Sequence, residues 1–411
     1  MVLKKYDMGL ISVTAMGIGS VVGAGIFALL GEVILQAGNL SYYAFIIAGI
    51  AAMFSGYSYA KLSGKYPDSG GLTDYFKIAF KSRAVSGTFT LIYYITSFVS
   101  ISMLAKSFGI YACKFLHDAA MEPICVNYFA SGIIIALAIL NMMGADKVGN
   151  AETLMVAFKF FVLLSLIAGA FIELDVRSDK VDFMPTPIAF LGSIGITFFA
   201  YAGYGIITNA AADVKNPKFT IAAAIYLTII IVALLYTSLA YIILKYIPEA
   251  DLTANADTAI TIAAEKLFGK WGYGIMFAAA IIAFISGISA TYFSVFRISY
   301  ALAEQKIMPK IYHKRFWEHG TYGNALSVAV LTLATIYFDF NSIVNLASGA
   351  YLVSYLAVFA ASWVLRRETG ASPVLILLGS ALMVFILVMF LANIYLSLIH
   401  ISEPTRHLRI S

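Results

Sequence analysis

Two glycine-interrupted apolar segments are the first features of this 411-residue sequence that could bind a small ion or solute. The segment Gly17–Gly25 holds four glycines in nine residues, and the segment Phe198–Gly205 holds two. Each glycine costs a helix about 1 kcal/mol relative to alanine, so both segments are candidates for unwound backbone. In a membrane, such backbone is tolerated only where protein buries it or where it lines a water-filled cavity. The two segments therefore predict a pair of broken helices.

A helix that restarts near Gly23–Gly25 would present free backbone N–H groups, which suit a carboxylate. The carbonyls freed at Val21 and around Phe199–Ala202 would suit an ammonium group or a cation. Both ends of an α-amino acid could therefore be held by backbone alone. The alternative is that these glycines only allow close helix packing. The presence of both segments favours a binding site.

Lys159 is the only charged residue between Thr153 and Ile172. At about 1.5 Å per residue from Ala151 it lies roughly 12 Å into the membrane, near the middle of a ~30 Å core. An ionisable group there is a functional candidate by default, because burial disfavours its charged form. Lys159 could carry the proton of a proton-coupled cycle or act as a fixed cation beside freed carbonyls. A lysine that snorkels back to the interface is the alternative.

Apolar helices are needed to hold these residues in place. The chain is 61% hydrophobic and only 12% charged, against about 25% charged residues in soluble domains. Spans of about 20 apolar residues fit the bilayer core. We predict an all-α integral membrane protein with eleven spans at about 8–37, 40–63, 85–112, 124–143, 151–173, 188–212, 219–244, 271–303, 322–338, 341–365 and 372–396.

The interrupted segments fall in spans 1 and 6, five spans apart. Interrupted helices at matching places in two halves indicate an inverted-repeat transporter with a midplane site. We predict one domain over residues 1–396, with repeats at about 6–174 and 186–366 and an extra helix at 372–396. Residues 397–411 form a polar tail that looks joined on after a truncation.

The loop charges predict the orientation. With the N-terminus in the cytoplasm, sixteen lysines and arginines fall in cytoplasmic segments and six in the opposite loops. The net charge of +5 is spread over short loops, which is not a nucleic-acid-binding pattern. The longest outer loop, 245–270, is predicted to be a short helical cap.

Other chemistry has little support. The five histidines lie in loops or the tail, and neither metal-ligand spacing nor a nucleophile motif is evident. We therefore expect no enzyme activity, no cofactor and no metal. Cys113 and Cys125 bracket one outer loop, and two ordinary thiols are favoured over a disulfide.

Four segments of the chain resemble the amino acid–polyamine–organocation (APC) transporter superfamily, whose members have a LeuT-type five-plus-five inverted-repeat fold with discontinuous helices 1 and 6. These segments are Gly19–Phe27, Tyr59–Leu62 with Tyr66–Gly71, Phe198–Gly205 with Asn216–Lys218, and Arg297–Ala303 with Pro309. The resemblance runs from about residue 5 to residue 396. It looks closest to the ApcT type of proton-coupled amino-acid transporter, in which a fifth-helix lysine, here Lys159, stands where sodium-coupled relatives bind sodium.

The resemblance implies roles for individual residues. The implied substrate-binding residues are Val21, Gly23, Ala24, Gly25, Phe199, Ala200, Ala202 and Gly203, with the Ala24 and Gly25 N–H groups on the carboxylate, the Val21, Phe199 and Ala202 carbonyls on the ammonium, and Phe199 as an aromatic gate. The implied proton-coupling residues are Lys159, Gly19, Ser286 and Ser289. The chain departs from its relatives at Gly205, where many have an acidic residue, and in offering eleven spans where many have twelve.

We therefore expect a secondary active transporter in the cell membrane that takes up amino acids, small and neutral ones first, together with protons by alternating access. An amino-acid or polyamine exchanger on the same fold is the first alternative, and a membrane sensor that no longer transports is a remote one. The expected partners are the amino-acid substrate, protons and the lipid bilayer. A homodimer is left open.

Overall fold

The computed structural model describes residues 8–67, 71–116, 123–143, 148–172, 183–317 and 320–402. These ranges are helical apart from turns, short connections and two isolated bridges, Met8 with Val214 and Arg315 with Thr321. The helices are α1 Leu10–Val21, α2 Ala24–Ala37, α3 Ser41–Lys65, α4 Leu72–Ala79, α5 Arg83–Leu116, α6 Pro123–Met142, α7 Val148–Ile172, α8 Pro187–Tyr201, α9 Pro217–Tyr246, α10 Glu249–Asn255, α11 Ala259–Glu304, α12 Tyr322–Tyr337, α13 Phe340–Val364, α14 Arg366–Thr369 and α15 Pro373–Ser402.

Among the described residues, nine helical stretches are long and apolar enough to cross a membrane. Two shorter apolar helices, α1 and α12, accompany them. Each of the eleven predicted spans falls on one of these helices or on a pair of half-helices. The predicted fold class, an all-α integral membrane protein with discontinuous helices 1 and 6, is confirmed. The repeat boundaries stay a prediction.

Both predicted interruptions are breaks in the helices. The first span divides into α1 and α2 at Val22 and Gly23. The sixth span divides at Ala202 and Gly203 into α8 and a 3₁₀ segment, Tyr204–Asp213. The two broken spans pack on each other and on α9, while α7 and α11 flank the first. The breaks therefore meet in the interior of the molecule.

The loop predicted to be the longest outer one, 245–270, differs in part from the prediction. A short helix, α10, and a 3₁₀ turn, Ala256–Thr258, form the expected cap. The rest of the predicted cap belongs to α11, which continues from Ala259 into the eighth span through a kink at Gly269. Gly269 has a φ of +65°, which glycine adopts without a steric penalty. The cap is thus shorter than predicted, and the remainder of the predicted loop belongs to the same helix as the eighth span.

The two cysteines also differ from the prediction. Cys113, near the end of α5, and Cys125, near the start of α6, form a disulfide. The expectation of two ordinary thiols is wrong, because the packing of α5 against α6 brings the two Cα atoms to 6.1 Å. At the other end of the chain, α15 continues to Ser402, past the predicted end of the last span. The rest of the predicted tail, 403–411, lies outside the described residues.

Candidate functional site

The first break leaves the last carbonyls of α1 without a following helical turn. The Val22 N–H donates to the Ile18 carbonyl at 2.7 Å, which closes α1. The helix resumes only at Ala24. Carbonyls at a helix C-terminus must find other donors when they are buried. At this break the donors are side chains from two other helices, α7 and α9.

Lys159 supplies the first of these donors. Its side chain is 1% exposed, and Nζ donates to the Gly19 carbonyl at 3.0 Å and to Ser286 Oγ at 3.4 Å. The absence of a side chain at Gly19 lets α7 approach, since a Cβ there would lie 2.6 Å from Cγ2 of Val156, one turn before Lys159. The amine is therefore turned into the protein, unlike that of a snorkelling lysine.

Ser289, the fourth predicted proton-coupling residue, forms its hydrogen bond with α6 and not with Lys159. It lies one turn after Ser286 on α11, and its Oγ accepts a hydrogen bond from Asn141 Nδ2 at 3.1 Å. Ser286 in turn donates to the Ala283 carbonyl. The structure thus brings Lys159, Gly19 and Ser286 together and places Ser289 beside α6.

Tyr236 of α9 supplies the second donor at the first break. Its hydroxyl donates to the Val21 carbonyl at 2.9 Å, and the side chain is fully buried. The predicted ammonium ligand Val21 therefore has a protein donor in this structure. Sequence reasoning missed Tyr236. The only available signal was that a buried tyrosine in an apolar span needs a partner for its hydroxyl.

The second break contacts the first directly. Gly203 has a φ of +123°, which L side chains rarely adopt, and a Cβ there would lie 2.9 Å from Ser20 Oγ. Ser20 Oγ donates to the Gly203 carbonyl at 3.2 Å. The Ala202 N–H donates to the Phe199 carbonyl at 2.9 Å, so the chain turns tightly at the end of α8. Phe199 and Ala202 therefore lie on one turn of the break.

The start of α2 presents backbone N–H groups beside this turn. Gly23 is the residue before α2 and supplies no side-chain cap. At Gly25, a Cβ would lie 3.5 Å from both the Cα and the carbonyl oxygen of Ala200. The N–H groups of Ala24 and Gly25 belong to the first turn, where a helix has no internal acceptor for them. N–H donors at the start of α2 and carbonyl acceptors at the end of α8 therefore lie close together.

Aromatic rings cover the second break. Phe199 stacks on Tyr351 of α13, with ring centroids 4.9 Å apart. At Gly205, the position where the sequence lacks an acidic residue, a Cβ would lie 3.1 Å from the Tyr59 ring. Tyr59 packs edge-on against Tyr204. A tyrosine ring therefore occupies the space that a side chain at Gly205 would need.

Comparison with known proteins identifies the family. Residues 8–405 match the amino acid permease family model. The inner membrane transport protein YbaT of Escherichia coli is 37% identical over 94% of this chain and 90% of its own length. The branched-chain amino acid permease BcaP of Bacillus subtilis is 23% identical over 77% of this chain and 71% of its own length. The methylthioribose transporter of Bacillus subtilis is 23% identical over 89% of this chain and 81% of its own length.

The breaks, the helix order and these matches lead to one assignment. The chain is a multi-pass membrane transporter and not an enzyme. It belongs to the amino acid permease family of the APC superfamily.

Proposed function

We propose that this transporter takes up small neutral amino acids together with protons by alternating access. One observation carries the proposal: the buried amine of Lys159 donates to the Gly19 carbonyl at the first break. A cation at this place can be gained or lost as a proton, and the same contact holds the half-helix that would bind substrate. The proposal therefore joins the proton site and the substrate site through one element, α1.

The substrate would bind between the two breaks. Its carboxylate would accept hydrogen bonds from the N–H groups of Ala24 and Gly25, where the α2 dipole favours negative charge. Its ammonium would be held by the carbonyls of Val21, Phe199 and Ala202. Phe199, stacked on Tyr351, would cover the site. Because backbone makes these contacts, they would bind every α-amino acid. Selectivity for the substrate side chain would depend on the residues that line the rest of the site.

Lys159 would link the protonation state to the position of α1. While protonated, it makes charge-assisted hydrogen bonds, which are roughly twice as strong as neutral ones. Loss of the proton would weaken the bond to Gly19 and loosen α1 from α7 and α11. Rocking of the broken helices would then expose the site to the other side of the membrane. Coupling follows because the two sites share α1.

The substrate class can be tested with a binding screen. We expect L-alanine and similar small neutral amino acids to raise the unfolding temperature of the purified protein, with an affinity that changes between pH 5 and pH 8. The panel should contain leucine, arginine and methylthioribose, because the relatives differ in their named substrates. A shift with methylthioribose and none with any amino acid would contradict the proposal.

We place the protein in the plasma membrane with its N-terminus in the cytoplasm. The support is the distribution of sixteen lysines and arginines against six. The cap formed by α10 and the turn Ala256–Thr258 would then face outward. The disulfide near the outer end of α5 agrees with this placement, because disulfides persist on the oxidising side of a membrane.

A further inference from the structure

One face of the eighth span carries a row of side chains that the transport site does not use. Phe293, Arg297 and Tyr300 lie at positions i, i+4 and i+7 of α11, so they follow one face of the helix. Phe293 and Arg297 are exposed, and Tyr300 is half-buried. Together with Arg315 from the following loop, they form what we call the arginine stripe. It lies where no other helix covers α11, on a surface that lipid would contact.

Each arginine of the stripe lies against an aromatic ring. The guanidinium carbon of Arg297 is 3.8 Å from the centroid of the Phe293 ring. That of Arg315 is 4.6 Å from the centroid of the Tyr300 ring, which also stacks on His313 with centroids 4.7 Å apart. Because Tyr300 follows Arg297 by about one turn, the loop after α11 folds back and adds a second guanidinium beside the first.

The position of Arg297 requires a polar partner from outside the helix bundle. It lies seven residues before the end of α11 at Glu304, or about 10 Å along the helix. No carboxylate of the described residues forms an ion pair with it. A long arginine side chain at such a depth reaches toward the polar headgroups. The planar guanidinium matches phosphate oxygens in a bidentate way, so a lipid phosphate is a suitable partner.

The loop after α11 has the composition of a membrane–water interface. Three of its lysines are exposed, namely Lys306, Lys310 and Lys314. The Trp317 N–H donates to the Gly320 carbonyl at 3.3 Å in a tight turn, with Trp317 42% exposed and Tyr322 53% exposed. Tryptophan and tyrosine are enriched at the level of the headgroups, and basic clusters beside a span attract anionic lipids. The loop therefore adds a cationic and aromatic rim to the arginine stripe.

The two ends of the eighth span differ in charge. Residues 304–322 hold four lysines and arginines against two acidic residues, whereas residues 249–270, at the other end, hold two lysines against four acidic residues. A negatively charged headgroup is therefore attracted to the end that carries the arginine stripe and repelled from the other. The distribution selects for one kind of lipid at one end of the helix.

We propose that the arginine stripe binds an anionic phospholipid, with the guanidinium groups of Arg297 and Arg315 on the phosphate and Trp317 beside the upper part of the acyl chains. Charge-assisted bidentate hydrogen bonds favour this contact. A zwitterionic lipid has the same phosphate, but the basic loop repels its cationic group. This role is separate from the proposed function, since it does not depend on which solute the protein carries.

Two tryptophans on α11 and its loop provide a local test. Trp317 lies beside the stripe, and Trp271 is 84% exposed at the other end of the span. Single-tryptophan proteins are made by replacing the other two tryptophans with phenylalanine and are reconstituted in phosphatidylcholine vesicles. Phosphatidylglycerol brominated on its acyl chains then quenches a tryptophan that it contacts. We expect half-maximal quenching of Trp317 at about a tenfold lower fraction of this lipid than for Trp271.

Variants of the Trp317 protein test the charges. Arg297→Gln with Arg315→Gln should remove the preference, whereas lysine at both positions should retain part of it, because the charge stays and the bidentate geometry is lost. Lys266→Gln with Lys270→Gln, at the other end of α11, is the matched control and should change nothing. Equal quenching of Trp317 and Trp271, or a preference that survives the double glutamine variant, would overturn the proposal.

Brominated phosphatidylcholine and soluble glycerol phosphate separate the remaining explanations. Quenching of Trp317 by brominated phosphatidylcholine as efficient as that by the anionic lipid would mean plain apolar contact and would overturn the proposal. Relief of quenching by millimolar glycerol phosphate would assign the stripe to a free phosphate compound instead.

Salt keeps the test decisive if the double glutamine variant does not fold. Raising the salt from about 0.05 M to about 1 M shortens the Debye length to about 3 Å. We expect this to raise the lipid fraction needed to quench Trp317 and not that needed for Trp271. A value for Trp317 that salt does not change would contradict binding through the arginines.

Discussion

At the residue scale, the central feature is a buried cation that satisfies a helix carbonyl. Lys159 was predicted from its isolation in an apolar span, and the structure places its amine on Gly19 and Ser286. The sequence predicts how deep the lysine lies in the membrane but not which direction it faces around the axis of α7. Its partners depend on how α7 rotates against α1, which Gly19 and Val156 determine through close packing.

We expect Lys159→Ala to lose the stimulation of uptake by an inward proton gradient while amino-acid binding persists, because the substrate contacts are made by backbone. Proteoliposome uptake with and without a pH gradient measures this. Lys106→Ala is the control, since Lys106 is also a buried lysine but donates to Asn127 on α6. Proton-driven rates at the wild-type level in Lys159→Ala would refute the coupling role.

Asp339 should stabilise the start of α13. It accepts hydrogen bonds from Ser342 Oγ at 2.6 Å and from the Ser342 N–H at 2.9 Å, and these, the side-chain bond first, hold the pKa of its carboxyl below the ordinary value. Its contribution is therefore fully present above the unfolded pKa of about 3.9 and is lost as the pH falls through the lower folded pKa. We expect Asp339→Ala to cost about 0.5–2 kcal/mol at pH 7.

Thermal unfolding followed by circular dichroism, at pH 7 and at the lowest pH the protein tolerates, checks this expectation. The gap between Asp339→Ala and wild type should narrow in acid. Asp74→Ala is the control, because Asp74 forms an exposed pair with Lys77 that contributes at most about 1 kcal/mol. An equal gap at both pH values would show that the carboxylate is not what stabilises α13.

At the element scale, the two breaks were predictable because glycine clusters weaken helices in a way that the sequence displays directly. Their contacts with each other were not. The hydrogen bond from Ser20 to Gly203 joins residues 183 positions apart. Likewise, the donor to the Val21 carbonyl is Tyr236 of α9, a helix that the sequence does not mark by any interruption. Tertiary partners of freed carbonyls depend on packing, and a single sequence does not display packing.

Gly203→Ala should damage the site more than it damages the fold. The substitution places a side chain at a φ of +123° and within 2.9 Å of Ser20 Oγ. Such strain costs about 1–3 kcal/mol. Gly269→Ala is a matched control, because Gly269 also has a positive φ, but among the described residues a Cβ there would meet no atom within 4 Å beyond its own helical neighbours.

We expect both variants to unfold at lower temperature and only Gly203→Ala to lose L-alanine binding. Calorimetric titration together with thermal unfolding separates the two effects. Normal binding in Gly203→Ala would mean that the contact between the breaks does not shape the site.

The disulfide should stabilise the end of α5 and the start of α6, which it joins, without serving transport. Cys113 and Cys125 are twelve positions apart, and closing a loop of that size contributes about 3 kcal/mol in the chain-entropy model. We expect the Cys113→Ser and Cys125→Ser double variant to unfold at lower temperature and to bind substrate normally. Wild type in reducing agent should behave in the same way. Loss of substrate binding at unchanged stability would assign the disulfide to the site instead.

At the scale of the whole molecule, composition supported the fold class that is confirmed, whereas loop charge supports an orientation that stays a prediction. The eleven spans followed from hydrophobic length, because the bilayer sets that length. The kink at Gly269, which joins the cap to the eighth span, was missed because a positive φ leaves no mark in hydropathy. The same holds for the disulfide, since spacing alone does not fix how α5 and α6 turn toward each other.

The orientation can be measured with single cysteines. Thr253 lies exposed in the cap, and Glu304 lies exposed at the other end of α11. Because the native cysteines form a disulfide, an introduced thiol is the reactive one. We expect a membrane-impermeant maleimide to label Thr253→Cys in intact cells and Glu304→Cys only after lysis. The reverse pattern would place the N-terminus outside.

Proton-driven uptake by the wild-type protein is the decisive test of proton coupling. The measurement is accumulation of labelled L-alanine in proteoliposomes that contain no internal amino acid, with an inward proton gradient and then with a protonophore. We expect accumulation above the external concentration with the gradient and its collapse with the protonophore. Uptake that needs internal amino acid and does not respond to the gradient would contradict proton coupling and identify an exchanger.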